Sequence, residues 1–301
     1  MKRLRIIILI FFFAVAAFFG AYHLIDRFTS DKVAPVITAE SDTLEVTIDA
    51  TEADLLAGMS ATDNIDGDVT DMLVVISKSK FIRKGTLRVN YAAFDQSSNV
   101  RTYFRDVTYT DYVSPHFSLK APLRFASSSS NHDFLGKLKA FDCLDGDISK
   151  KIRISYGDTV AVSDTITEQT VDIIVTNSYG DSSNLQLTVR FEDFESYNTQ
   201  CPALSEYLIY TKVGEMPDLR SLITGIWSNG KSTDFEDSNS NLTADNVTIY
   251  NVLNGQPGGY HNAEEQPLDI NTPGVYYVKY SLSNTTGEAL GTTTLIVIVE
   301  E

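Results

Sequence analysis

The sequence predicts an all-β chain of three tandem β-sandwiches behind a single N-terminal transmembrane helix. Three observations carry that prediction: a long apolar run at the N-terminus, strand-type alternation everywhere after it, and a set of markers that returns along the chain in a fixed order. With 301 residues, 43% of them hydrophobic and 21% charged, the chain is long enough for two or three packed domains and lacks the composition of a disordered protein.

No charged residue interrupts the run from Ile6 to Tyr22 (IIILIFFFAVAAFFGAY), and His23, Leu24 and Ile25 extend it to Asp26. At about 1.5 Å per residue, roughly 20 helical residues cross a hydrocarbon core of about 30 Å. Lys2, Arg3 and Arg5 precede the run, so the positive-inside rule gives a cytoplasmic tail at 1–5, a single-pass span of the cell membrane at 6–25, a linker at 26–33 and an extracytoplasmic body. The alternative is a cleaved signal peptide ending at the A-x-A-like site Ala14-Val15-Ala16. Retention as a signal-anchor is the preferred reading, because apolar residues continue past that site. No cysteine precedes Cys143, which excludes a lipid-modified N-terminus.

The formal net charge is −16, and three of the 24 basic residues sit in the first five positions, so the body is more acidic than the total suggests. Such a surface repels nucleic acid and anionic lipid. Its charged partners are expected to be cations, divalent ions included, or basic protein surfaces.

Beyond Ile25 the period is that of strands. Leu44, Val46 and Ile48 alternate with polar residues, as do Leu87, Val89, Tyr91 and later Leu185, Leu187, Val189. A proline followed by an apolar strand opens three segments, at Pro35, Pro115 and Pro202. Asp63-Asn64-Ile65-Asp66-Gly67-Asp68 returns as Asp142-Cys143-Leu144-Asp145-Gly146-Asp147, and the hairpin Gln96-Ser97-Ser98-Asn99 is echoed by Asp181-Ser182-Ser183-Asn184. The third segment lacks the acidic-glycine motif but ends in a Pro273-Gly274 turn feeding two alternating strands. Domains are therefore expected at 34–110, 113–194 and 201–301, joined by short linkers into a semi-rigid rod.

At these residues the sequence resembles the group 3 bacterial immunoglobulin-like domains and the similar domain of pesticidal crystal proteins. The carried features are the opening Pro35-Val36-Ile37, the segment Ala61-Thr62-Asp63-Asn64-x-Asp66-Gly67-Asp68, and the strand Gly85-Thr86-Leu87-Arg88-Val89-Asn90-Tyr91 leading to Asp95 and Asn99. The second repeat departs at Cys143 and at Glu168-Gln169-Thr170, and the third matches mainly by its Pro273-Gly274 turn and strands. The resemblance implies Ig-like sandwiches that act as spacers or ligand-presenting modules on bacterial surfaces, without catalytic activity of their own.

Candidate sites are read from the residues separately, since fold does not fix function. Asp63, Asp66 and Asp68, and likewise Asp142, Asp145 and Asp147, concentrate carboxylates as a Ca²⁺ site does; the alternative is a tight turn in which Asp side chains cap backbone N–H groups. Asp237-Ser238-Asn239-Ser240-Asn241 departs from an EF-type loop at Leu242 and Thr248 and is read as solvated. The four histidines, His23, His116, His132 and His261, form no catalytic motif with their neighbours. The third domain holds Trp227, either core or ligand-binding, and a glycine-rich stretch presenting Tyr260 and His261 as surface candidates. Cys143 and Cys201 fall at opposite poles of the second domain and are expected not to pair.

The functional expectation is a non-enzymatic, membrane-anchored adhesion or binding module whose distal domain is presented to an envelope protein or glycan. The rival is a structural spacer or assembly subunit of the envelope; a glycan-processing enzyme is the remote alternative.

Overall fold

The computed structural model describes residues 2–29, 31–128, 133–238, 241–252 and 270–301. Its chain divides into two compact units, Met1–Tyr112 and Val113–Glu301. The first begins with a 28-residue helix, α1 (Lys2–Thr29). Side chains of α1 are described only between Ile6 and Tyr22, and they stand exposed, Phe11 at 70% and Phe18 at 76%. Among the described residues no helix is long and apolar enough to cross a membrane.

Seven strands follow in this unit: β1 (Val36–Ala39), β2 (Thr43–Val46), β3 (Met59–Asp63), β4 (Gly67–Asp68), β5 (Leu73–Arg83), β6 (Thr86–Phe94) and β7 (Val100–Tyr109). They make one sheet in the order β1-β3-β4 and another in the order β2-β7-β6-β5. Alternation decides which face is inside: Leu87, Val89 and Tyr91 of β6 are wholly buried, and the Tyr91 hydroxyl donates to the Leu55 carbonyl at 2.9 Å. Leu55 belongs to the short helix α2 (Glu52–Leu56), whose N-terminus is closed by a Thr51/Asp54 capping box.

The second unit repeats this plan twice. β8 (His116–Leu119), β9 (Arg124–Ala126), β10 (Leu138–Asp142), β11 (Gly146–Asp147), β12 (Arg153–Ala161), β13 (Ile166–Thr176) and β14 (Ser182–Glu192) form sheets β11-β10-β8 and β12-β13-β14-β9, with α3 (Phe134–Lys137) between β9 and β10. After α4 (Phe194–Asn198) come β15 (Cys201–Leu204), β16 (Leu208–Lys212), β17 (Ile223–Ser228), β18 (Lys231–Asp234), β19 (Val247–Val252), β20 (Gly274–Ser283) and β21 (Ala289–Glu300), in sheets β15-β17-β18 and β16-β21-β20-β19. In each set the second strand pairs parallel with the last, β2 with β7, β9 with β14 and β16 with β21, so that strand crosses from one sheet to the other. Strand order repeated three times, with that crossover, is the tandem Ig-like sandwich fold.

One sequence alignment is corrected by the hairpins. The β6–β7 turn bonds Asp95 N–H to Asn99 O at 3.2 Å, and the β13–β14 turn bonds Asn177 N–H to Asp181 O at 2.9 Å. Asp95 therefore matches Asn177 and Asn99 matches Asp181, three residues earlier than the shared Ser-Ser-Asn letters indicate. Backbone conformation confirms this register, since Ser98 (φ 66°) and Gly180 (φ 89°) occupy the same left-handed position. Letter identity misled because the turn needs a conformation and two hydrogen bonds, not a particular dipeptide.

The second and third sandwiches share one core, from Phe117 and Leu187 through Tyr207 to Leu295. Across their junction the Tyr207 N–H donates to Leu119 O at 2.8 Å, the Phe117 N–H donates to the Tyr210 hydroxyl at 2.9 Å, and the His116 ring stacks on Tyr210 at 3.9 Å. Arg124, 8% exposed, binds Glu192 through Nε and Nη2, reaches Ser196 O at 3.0 Å, and donates through Nη1 to Cys201 Sγ at 2.8 Å. One guanidinium thus joins β9, β14, α4 and β15. The residues at 195–200, expected as a plain linker, include most of α4, which Asp193 caps by accepting from the Ser196 N–H at 2.8 Å.

Candidate functional site

The two acidic-glycine loops have nearly the same architecture. Asp63 ends β3, and its Oδ1 accepts from the N–H groups of Ile65 at 2.9 Å and Asp66 at 3.0 Å. Asp66 Oδ2 accepts from the Gln96 N–H at 2.8 Å, tying the loop to the β6–β7 turn, and Asp68 Oδ1 accepts from the Thr70 N–H at 3.0 Å. Gly67 takes the positive φ of 74° that closes the loop. In the second sandwich Asp142 Oδ1 accepts from Leu144 at 3.0 Å and Asp145 at 2.9 Å, Asp145 Oδ2 from Ser178 at 2.7 Å, and Asp147 Oδ1 from Ser149 at 2.9 Å. Asp66, Asp68, Asp145 and Asp147 thus each accept from a backbone N–H within the loop or from the neighbouring hairpin turn.

The loops part company at one oxygen. Asp142 Oδ2 accepts from Asn177 Nδ2 at 3.0 Å, which completes that carboxylate. Asp63 Oδ2 is buried and has no hydrogen-bond partner, in a residue only 9% exposed. Where the second sandwich has the Asn177 amide, the first has the Asp95 carboxylate, 5% exposed. Asp31, from the segment before β1, adds a third carboxylate whose Oδ2 is likewise buried without a partner. One oxygen from each of Asp31, Asp63 and Asp95 lies within 4.8 Å of the other two.

Asn99 holds this arrangement in place. Its backbone N–H donates to Asp95 Oδ1 at 2.7 Å, and its Nδ2 reaches Asp95 Oδ2 at 2.6 Å and the carbonyl of Asp31 at 3.2 Å. Arg101 Nε donates to Pro35 O at 3.3 Å, fixing the other end of the segment. Backbone N–H groups of Asp66 and Ile65 hold the Asp63 carboxyl below its ordinary 3.8, so it is ionised at neutral pH. No ion pair among the described residues engages any of the three aspartates. Asp63 was legible in the sequence; Asp31 and Asp95 were not proposed, although each stands four residues from a marker that was, Pro35 and Asn99 respectively.

The third-domain candidates separate differently. Trp227 is 9% exposed, packs with Cys201 and Ala203, and meets Tyr207 edge-on at 6.5 Å, so it is a core residue rather than a surface platform. Tyr260, His261 and His132 lie outside the described residues. A groove of about 490 Å³ beside β17 and β18 is lined by Ile226 together with polar residues that include Ser228, Asn229, Lys231, Thr233 and Asp237. Both cysteines are thiols; burial pushes that of Cys201 above its ordinary value, whereas Cys143 is exposed in its loop.

Comparison with known proteins adds likeness of a general kind. No family model matches the chain, and no curated protein does. Among solved structures, a Clostridium perfringens ZmpB fragment described as CBM51-2 in complex with GlcNAc and INT domains aligns over 48% of this chain and 29% of its own, at 17% identity and a TM-score of 0.22. A second ZmpB fragment, with the M60 catalytic domain and both CBM51 domains, aligns over 89% of this chain and 31% of its own, at 12% identity and a TM-score of 0.21. Mouse cadherin-23 EC22-24 aligns over 89% of this chain and 99% of its own, at 12% identity and a TM-score of 0.21. This chain thus spans less than a third of the clostridial chains it matches. Scores of this size carry no functional argument, and the fold assignment stands on strand order.

Proposed function

We propose that the chain is a non-enzymatic, membrane-anchored surface module of a bacterial envelope, related to the group 3 Ig-like domains, which presents its last sandwich to a protein or glycan. The observation that carries this reading is α1, on which bulky apolar side chains between Ile6 and Phe18 stand uncovered, ahead of a run of sandwiches. Exposed aliphatic and aromatic surface on that scale is unfavourable in water by about 25 cal/mol per Å² and is relieved in hydrocarbon. In the sequence, the apolar run from Ile6 to Ile25 supplies about 20 residues, what a hydrocarbon core of about 30 Å asks of a helix. Lys2, Arg3 and Arg5 before the run favour, by the positive-inside rule, a cytoplasmic N-terminus with the sandwiches outside.

The test is protease treatment of intact protoplasts carrying the chain with an N-terminal tag. Digestion of the sandwiches with survival of the tagged tail supports the reading. Protection of the sandwiches, or their release into the medium with a new N-terminus after Ala16, overturns the anchored topology. A spacer role is the second reading, favoured by the junction at Arg124: two sandwiches that share a core transmit orientation and force as one body.

A further inference from the structure

We propose that Asp31, Asp63 and Asp95 bind a divalent cation of the calcium class, which fastens the segment leading out of α1 to the first sandwich. The inference is independent of the anchored reading, because every group it uses lies in the first compact unit.

The decisive observation is the orphaned oxygen. Asp63 is nine-tenths buried, its Oδ1 accepts from two backbone N–H groups, its Oδ2 is buried with no donor, and one of its oxygens lies within 4.8 Å of an oxygen of Asp31 and one of Asp95. Buried carboxylate oxygens in proteins have donors or a metal ion; an isolated one is costly. Here the same fold supplies its own control, since the second sandwich fills the corresponding position with the Asn177 amide. The first sandwich has an acid instead and brings in another from Asp31.

The ligand chemistry is restrictive. All three donors are hard, anionic oxygens, which select calcium, magnesium or manganese over the metals that favour histidine and thiolate. One oxygen of each residue lies within 4.8 Å of the other two, close enough together for a single cation to draw in all three. Calcium also accepts bidentate carboxylates and an irregular shell, which suits ligands from three separated segments.

A consequence follows for the chain path. Asp31 lies two residues beyond the end of α1 and four before Pro35, so a cation shared with Asp63 and Asp95 would pin that short segment at a second point besides the Arg101 contact to Pro35. Trypsin cleavage after Lys32 reports on the same segment.

The experiment uses the full chain in detergent micelles, stripped of metal with a chelator and titrated calorimetrically with CaCl₂. One saturable site is expected, with a Tm rise of about 5 °C or more at a hundredfold excess over Kd and slower cleavage after Lys32. D31N, D63N and D95N are each expected to weaken binding at least about tenfold, while D147N binds as the parent does. D31N precedes the first strand and leaves the sandwich intact, so it decides the matter if D63N or D95N fails to fold. Absence of saturable calcium binding to the parent chain, or parent-like binding by D31N, overturns the proposal.

Discussion

The first and second sandwiches treat buried negative charge in opposite ways. In the second, Asp142 receives the Asn177 amide and the buried Glu192 receives Arg124, so each carboxylate is satisfied by a donor from the chain itself. In the first, the Oδ2 atoms of Asp63 and Asp31 are buried without a donor, beside an Asp95 carboxylate that Asn99 holds. Strand order, loop shape and turn register are shared, so the difference comes down to a few side chains, above all Asp95 against Asn177. A charge removed from water must meet a counter-charge or a hydrogen-bond donor, and a conserved backbone leaves open which of these arrives.

The comparison breaks most severely at Arg124. Replacing it with Met strips the buried Glu192 of its hydrogen-bonded guanidinium, leaving only Arg190 at 3.8 Å, and removes the link to Ser196 and Cys201, so urea unfolding of the second unit should show a loss of about 3 kcal/mol or more. The first unit should unfold as before, and a loss shared by both units would contradict the division of the chain.

A smaller effect is expected from exchanging the discriminating residue. Asn177→Asp removes the donor to Asp142 and puts two carboxylates face to face, which should destabilise the second unit by about 1 to 3 kcal/mol at neutral pH in the presence of a chelator. The reciprocal Asp95→Asn should weaken the calcium response of the first unit at least about tenfold. Should both exchanges prove neutral, the amide and the acid are interchangeable and the contrast drawn here fails.

Acidification sharpens the comparison more gently. Hydrogen bonds to backbone N–H groups hold the Asp63 pKa below 3.8, so its folded value is depressed relative to the unfolded chain. The stability it contributes is complete above the unfolded value of about 4 and is lost as pH falls through the folded one. In the second loop burial opposes the shift, but Lys151 and Ser178 prevail and Asp145 is lowered too. Both loops should therefore loosen below pH 4, and backbone amide exchange at Asp66 and Asp145 should accelerate there. Protection retained at pH 2 would show that these carboxylates do not hold the loops.

The smallest expected change concerns the shared turn. Ser98 adopts the left-handed conformation that Gly180 adopts in the second sandwich. Ser98→Gly should therefore stabilise the first unit by roughly 0.5 to 1 kcal/mol, read as a shift in its urea midpoint. A loss of stability would mean that Ser98 is held by contacts beyond its backbone angle.

The sequence by itself determined the all-β class, the alternation that buries Leu87, Val89 and Tyr91, the repeated acidic-glycine loops and the apolar run of α1. These are legible because strand period, turn chemistry and hydrophobic length are local properties of a few consecutive residues. Only the tertiary structure decided which carboxylates meet. Asp31 and Asp95 flank Asp63 at 32 residues on either side in the chain, and no spacing rule connects them. The hairpin register, the burial of Trp227 and the fusion of two sandwiches through Arg124 were decided in the same way. Each depends on segments that approach only once the sheets have packed, and in that low-dielectric interior a single missing donor turns a structural aspartate into a candidate ligand.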